Sequence, residues 1–308
     1  MKIVILGAGA MGSLYGGPLS THHEVWLLDV WKEHVERINK EGLVIRQGDT
    51  KSSIYHPKAA CSASETGSAD LAIIFVKSVD TAEALAKNRE IFGPDTMVLT
   101  LQNGYGNDED ILPYIRAENF FIGTTACGAT ILGPGEVFQA GKGITSIGVT
   151  KTGSLERAQQ IVDILEESGF EAKTAPDVME AVWIKLLVNV GLNAPLALLG
   201  VRNGFIGDSS NAMEIGKALV AEGVAVAEAE GYHLDGDAIV QHYYVEGSKV
   251  VGKNRCSMLQ DMDRKRKTEI GKINGAIVKL GKRHGIPTPY NEVFTYLVQA
   301  KEEAYCYE

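Results

Sequence analysis

Six residues, Gly7-Ala8-Gly9-Ala10-Met11-Gly12, stand directly behind the short apolar run Ile3–Leu6 and open a stretch with helix-forming character. A strand that turns sharply into a helix needs residues without Cβ at the turn, and this spacing of glycines gives each one a task. Gly7 permits the tight turn, Gly9 lets the backbone approach a pyrophosphate, and Gly12 lets helix and strand pack closely. The helix N-terminus then offers N–H donors and a positive dipole end to an anion. A plain Gly-rich turn is the alternative, but strand, turn and helix follow in the order that a dinucleotide site requires.

The rest of the first half agrees with that fold. Ile3–Leu6, Val25–Leu28, Leu71–Val76 and Met97–Leu101 are near-continuous apolar runs, the signature of parallel strands covered on both faces. Between them, Lys32–Asn39 and Thr81–Arg89 carry helix formers in place of hairpin turns. Phe120–Gly128 and Glu136–Val149, separated by Gly133-Pro134-Gly135, predict antiparallel strands that extend the parallel sheet, and Leu155–Ser168 predicts a last helix. Ala175-Pro176-Asp177 is a hinge with a helix start behind it. From there 3.6-residue periodicity runs through Val178–Leu199, Asn211–Gly231, Asp237–Val250, Met258–His284 and Asn291–Ala304. The fold class is an α/β Rossmann-type N-terminal domain over residues 1–174, followed by an all-α C-terminal domain over 175–308.

Length supports two cores, since 308 residues exceed what one ordinary core organises. A formal net charge of −9 with no long basic block argues against a nucleic-acid partner. No signal-peptide pattern and no apolar stretch of about 20 residues is read, which predicts a cytoplasmic protein with no membrane partner. Cys61, Cys127, Cys256 and Cys306 are far apart without nearby His, so reduced thiols are expected, not a zinc site or disulfide framework.

Asp29 follows the second strand, 20 residues after Gly9, where a carboxylate accepts hydrogen bonds from the adenosine ribose. That favours NAD(H) over NADP(H), although Lys32 is near enough to meet a 2′-phosphate; a helix N-cap is the other reading of Asp29. Lys77, past the third apolar run, is either a cofactor contact or a solvated strand-end lysine. Gln102-Asn103-Gly104 follows the fourth run, so Asn103 is a candidate contact for nicotinamide and substrate, with an Asn-Gly turn as the alternative.

In the helical half Lys185, Asn189 and Asn193 are spaced i, i+4, i+8 on one helix face among apolar neighbours. A lysine in such a stripe is a candidate general acid, with a structural lysine on the helix's wet side as the alternative. A second polar set spans Ser257-Met258-Leu259-Gln260-Asp261 and Thr268-Glu269-Ile270 with Ile273-Asn274-Gly275, and Glu269 is a candidate partner for Lys185 or a residue of a charged surface. Between the two groups, Arg264-Lys265-Arg266-Lys267 reads as a solvated face, with an anion contact as the alternative.

In order and over nearly the whole chain, the glycine run, Leu101-Gln102-Asn103-Gly104, Trp183-Ile184-Lys185-Leu186 with Asn189 and Asn193, the Ser257 stretch and the Thr268–Gly275 stretch resemble the ketopantoate reductase (2-dehydropantoate 2-reductase) family. The resemblance implies a Rossmann-type domain followed by a helical one, with the active site in the cleft between them. It implies reduction of a 2-oxo acid, foremost ketopantoate to (R)-pantoate, with Lys185 as general acid and Glu269 binding substrate and orienting the lysine. It also implies that Asn103, Asn189, Asn193, Ser257 and Asn274 hold the carboxylate and hydroxyls.

Two positions depart from the family pattern. Asp29-Val30 stands where members that use NADPH carry a basic residue, and Cys127 stands where some relatives have a polar, His-like residue. Asp29 therefore keeps open an NAD-dependent D-2-hydroxyacid dehydrogenase acting on other branched or aromatic 2-oxo acids. A non-catalytic nucleotide-binding protein is a third reading, opposed by the intact Lys185 and Glu269. The expected partners are a small-molecule 2-oxo acid and, for a helical half of this size, a second copy in a homodimer.

Overall fold

The computed structural model describes residues 1–48, 51–150 and 153–307. They form two compact units, one of Met1–Gln102 with Asn107–Val178, the other of Asn103–Gly106 with the chain from Met179 onward.

The first unit carries twelve strands among its described residues: β1 (Lys2–Leu6), β2 (Glu24–Leu28), β3 (Leu43–Gln47), β4 (Lys51–Tyr55), β5 (Lys58–Ala60), β6 (Leu71–Ile74), β7 (Met97–Thr100), β8 (Phe120–Thr125), β9 (Gly128–Gly133), β10 (Glu136–Gly141), β11 (Thr145–Val149) and β12 (Ala172–Thr174). Eight of them form one sheet in the order β12-β11-β8-β7-β6-β1-β2-β5. β1 pairs in parallel with β2 on one side and β6 on the other, Ile3 opposite both Val25 and Leu71. Ile3, Val4 and Ile5 are wholly buried, as expected of a central strand covered on both faces. The chain passes from β1 to β2 on one side and later crosses to β6 on the other. The carboxyl end of β1 is thus a topological switch point, where such sheets bind ligands.

β8 joins β7 in parallel and β11 runs antiparallel to β8, so the sheet gains the expected antiparallel extension. The hairpin β9–β10 does not extend it. It leaves to form a separate four-stranded sheet, β4-β3-β10-β9, in which β10 runs parallel to β3 and β4 antiparallel to β3. The helix Ala10–Leu19 packs beside this second sheet as well as on the first. There a Cβ on Gly17 would fall 2.8 Å from Ile45 Cδ1, so small residues on the helix let the sheet come close.

The second unit is helical. Val178–Leu199 is its longest helix, followed by Ser210–Ala229, Ser257–Asp263, Asn274–His284 and Pro289–Ala304. Contrary to expectation, Val178–Leu199 is long and apolar enough to cross a membrane by length and composition. Yet 61% of its most apolar window is buried in the protein, and Trp183, Leu186, Val190, Ala194 and Leu196 on it belong to the unit's core. Pro195 lies inside this helix and has no N–H for the Gly191 carbonyl one turn back.

Two periodic stretches are less regular than expected. Asp237–Val250 becomes the short helix Gly236–Ile239, a π-helical segment Val240–Glu246 and the helix Gly247–Val251. The buried Tyr244 inside the π segment donates from its hydroxyl to the Leu187 and Val188 carbonyls, so a wide turn here delivers an anchoring side chain. Met258–His284 is broken between Asp263 and Asn274: Lys265 sits at φ 51°, and the Asp261 carbonyl takes both the Arg264 and Arg266 N–H groups. A continuous helix would have kept Glu269 on the same rod as Ser257; the break puts it on a turn of its own.

Candidate functional site

The turn after β1 uses its glycines differently. Gly7 sits at φ +100°, and a Cβ there would lie 2.5 Å from the Val76 nitrogen, so both conformation and the neighbouring strand end demand glycine. A Cβ on Gly12 would lie 1.9 Å from the Gly7 carbonyl oxygen. Around Gly9 there is open space, with no atom within 4 Å of where its Cβ would stand. Gly9 is also the N-cap of Ala10–Leu19, with no side-chain cap and no acidic residue in the first turn. The first-turn N–H groups of a helix have no helical acceptors, and nothing anionic here competes for them. Bare backbone around an open glycine fits the pyrophosphate of a dinucleotide.

Asp29 leaves β2 half-buried, with Oδ1 accepting the Trp31 N–H at 3.0 Å. It is therefore not the N-cap of the next helix. Trp31 holds that position ahead of Lys32–Glu41, and Asp29 forms an Asx turn two residues earlier. Lys32 is exposed, and Lys77 begins the turn after β6, where its carbonyl receives the Asp80 N–H. Gln102, which the sequence reading passed over, ties two strand ends together. Its Nε2 donates to the Val76 carbonyl at 2.7 Å and to Thr81 Oγ1 at 2.8 Å, while its Oε1 accepts from Thr100 Oγ1 at 2.9 Å.

His34 was also missed. It is completely buried, stacked on Trp31 with ring planes 9° apart at 5.0 Å. Gly135 N–H donates to its Nδ1 at 2.9 Å, which leaves the proton of the neutral ring on Nε2, 3.2 Å from Ser13 Oγ. Ser13 in turn donates to the Ala8 carbonyl at 2.8 Å. Burial pushes the imidazole below its ordinary range, against a smaller opposing pull from Asp29. A buried histidine among helix residues leaves no trace in periodicity beyond one polar residue on the packed face.

In the second unit Asn103 and Glu269 meet, Asn103 Nδ2 donating to Glu269 Oε2 at 3.4 Å. The segment around Asn103 is clamped by Lys272, whose carbonyl accepts the Tyr105 N–H at 2.9 Å and whose Nζ donates to the Gly106 carbonyl at 2.7 Å. Gly104 is at φ +91°, and a Cβ there would lie 2.4 Å from the Lys272 carbonyl oxygen. The Asn-Gly pair thus makes the turn and also presents the amide. Lys185 and Asn189 are partly buried along Val178–Leu199, and Asn193 is nearly fully buried.

Ser257 is exposed at the first position of its helix, behind the buried Cys256, whose thiol lies 3.7 Å from the Asn193 carbonyl and is pushed up to about 11 by burial. Asn274 is fully buried. Its Nδ2 donates to the Val190 carbonyl and to Asn291 Oδ1, each at 3.0 Å. Both amide hydrogens therefore serve the packing of three helices, while the buried Oδ1 has no hydrogen-bond partner in the protein. Residues 264–267 are exposed.

Cys127 has a structural environment. Its thiol reaches the Gly143 carbonyl at 3.1 Å, its N–H donates to Thr125 Oγ1 at 3.0 Å, and the same Thr125 takes the buried Tyr15 hydroxyl at 2.9 Å. None of the four described cysteines is in a disulfide.

Comparison with known proteins covers both halves. The family model for ketopantoate reductase PanE/ApbA matches residues 3–152, and that for the ketopantoate reductase PanE/ApbA C terminal matches residues 177–302. A 2-dehydropantoate 2-reductase of Halobacterium salinarum is 35% identical over 97% of this chain and 98% of its own length. One of Pyrococcus horikoshii is 36% identical over 98% of each. Among solved structures, the ternary structure of D-mandelate dehydrogenase with NADH and anilino(oxo)acetate superposes with a TM-score of 0.93, at 34% identity and 99% coverage of both chains.

Proposed function

The chain belongs to the ketopantoate reductase family, and from that premise we propose that it reduces a 2-oxo acid with a nicotinamide cofactor, 2-dehydropantoate going to (R)-pantoate. The observation that carries the reading is that both halves of the chain match the family; an open glycine turn in the first unit and Asn103 meeting Glu269 in the second support it.

The glycine run Gly7–Gly12 holds the pyrophosphate, Asp29 the adenosine ribose, and Lys77 and Asn103 further parts of the cofactor. A bound nicotinamide supplies the hydride. Lys185 protonates the ketone oxygen as negative charge grows there, and its ammonium stabilises that charge before the proton moves. Glu269 binds a substrate hydroxyl and orients the lysine. Asn103, Asn189, Asn193, Ser257 and the free Oδ1 of Asn274 position the carboxylate and hydroxyls.

Asp29 favours a second reading, an NAD-dependent D-2-hydroxyacid dehydrogenase. With Oδ1 on the Trp31 N–H, Oδ2 remains to accept from a ribose hydroxyl, and a carboxylate at that point repels a 2′-phosphate. The similarity to a D-mandelate dehydrogenase solved with NADH supports the same preference. Initial rates on ketopantoate, phenylglyoxylate and branched 2-oxo acids, each with NADH and NADPH, separate the two. Turnover of ketopantoate above the others upholds the first reading; indifference to ketopantoate with turnover of an aromatic 2-oxo acid replaces it by the second. A wild type that strongly prefers NADPH overturns the role given to Asp29.

A further inference from the structure

We infer that His34 is a positioning residue for the cofactor, acting through Ser13 to fix the one peptide of the glycine turn that faces the pyrophosphate. The inference rests on the reading of Gly7–Gly12 as a dinucleotide site. Three hydrogen bonds run in one direction: Gly135 N–H to His34 Nδ1, His34 Nε2–H to Ser13 Oγ, and Ser13 O–H to the Ala8 carbonyl. The neutral Nε2–H tautomer is the form that completes the series, and the Ala8 carbonyl at its end also acts on the His34 ring directly.

The end of the series matters most. In a trans peptide the carbonyl and the following N–H point in opposite directions, so holding the Ala8 carbonyl on Ser13 directs the Gly9 N–H away from the helix interior. Gly9 itself has no atom within 4 Å of where a Cβ would stand, so there is room for a ligand beside this peptide. The Ser13 N–H bonds the Gly9 carbonyl at 2.9 Å, which pins the next peptide as well. The turn is thereby set before a ligand arrives, and less ordering is left to oppose binding.

The start of the series ties this turn to the second sheet. Gly135 lies in the β9–β10 turn at φ +68°, and its carbonyl accepts the Val44 N–H at 2.8 Å beside β3. His34 is thus the link between the hairpin that departs from the main sheet and the loop at the end of β1. The charged groups around it are few. Asp29 faces it from the end of β2, Glu136 next to Gly135 is paired with Arg46, and Arg37 on its own helix is paired with Glu41. None of these charged side chains replaces Ser13 as the ring's side-chain partner.

The test is direct titration of the intact protein with NADH and NADPH, followed by nicotinamide fluorescence, for the wild type, Ser13→Ala, His34→Ala and the double variant. Each single variant is expected to raise the Kd about tenfold, the scale of one lost hydrogen bond in a preorganised site. The double variant should lose no more than either single one, because both act through one series. In steady-state assays the cofactor KM should carry more of the loss than kcat, a split that loss of fold stability alone does not produce. Wild-type Kd in Ser13→Ala, or additive losses in the double variant, overturns the inference. If His34→Ala fails to fold, Ser13→Ala decides alone. A wild type that binds neither nucleotide refutes the cofactor reading instead.

Discussion

Asn103 and Glu269 are 166 residues apart in sequence, yet the amide of one donates to the carboxylate of the other at 3.4 Å. At that length the contact is a weak one, longer than an ordinary N–H···O bond, and on the proposed function both groups also face the substrate. Glu269→Ala is expected to lower kcat/KM for the 2-oxo acid about a hundredfold, and Asn103→Ala about tenfold. On the proposed function the two groups act on one ligand, so the double variant should lose less than the product of the single losses. Steady-state kinetics on the four proteins checks this; strict additivity would separate the two residues.

Lys185 is assigned the proton donated to the ketone oxygen. Its removal should cost catalysis and spare cofactor binding. Lys185→Ala is expected to lower kcat by about a thousandfold or more, within the range of a lost general acid, with NADH affinity within about threefold of wild type. Activity retained in that variant would take the role away from Lys185.

The glycines of the turn give a contrast within six residues. A methyl on Gly12 would lie 1.9 Å from the backbone oxygen of Gly7, an atom that cannot rotate away, whereas Gly9 has nothing within 4 Å. Gly12→Ala should therefore destabilise the fold by about 3 kcal/mol. Gly9→Ala should leave the melting temperature near wild type and, on the proposed reading that the pyrophosphate sits beside Gly9, weaken cofactor binding by about tenfold or more. Thermal unfolding and nucleotide titration of the two variants distinguish the cases.

Much of this was legible beforehand because the signals were local. The apolar runs at Ile3–Leu6 and Val25–Leu28 announce buried parallel strands, and the periodicity of Val178–Leu199 gives that helix its observed ends. The second sheet was not legible. β4, Lys51–Tyr55, is polar and mostly exposed, and β3 is joined to β10 only by a parallel pairing across about ninety residues of chain, whose partner no short-range pattern names. The break after Asp263 was hidden because the periodic apolar residues resume in register beyond it. His34 and Gln102 escaped for a related reason: their roles lie in the backbone groups they hold, and a single polar residue does not say which carbonyl it will meet.

The thiols should sort by environment. Cys61 and Cys306 are exposed, while Cys256 is buried and burial pushes its thiol up to about 11, far from the thiolate form at neutral pH. Ellman's reagent on the folded protein is expected to titrate Cys61 and Cys306 quickly and Cys256 only after unfolding. Cys127, with its S–H committed to the Gly143 carbonyl, should lag behind the exposed pair. Fast modification of Cys256 in the native protein would mean that the contact with the Asn193 carbonyl opens readily.

The buried imidazole makes stability depend on pH with a definite sign. His34 is held below its ordinary value of 6.5, first by burial, with Asp29 pulling the other way. Between that value and the lowered one, the unfolded chain binds a proton that the folded chain refuses, so the His34 contribution is complete above 6.5 and is lost as the pH falls beneath it. Protonation at Nδ1 would also set an N–H against the Gly135 N–H that now donates there. Urea midpoints at about pH 7.5 and about pH 5.5 should fall more for the wild type than for His34→Gln, which has no proton to gain. Comparing the two drops removes the contribution of groups common to both proteins, so equal drops would show that the folded protein accepts the His34 proton as readily as the unfolded chain does.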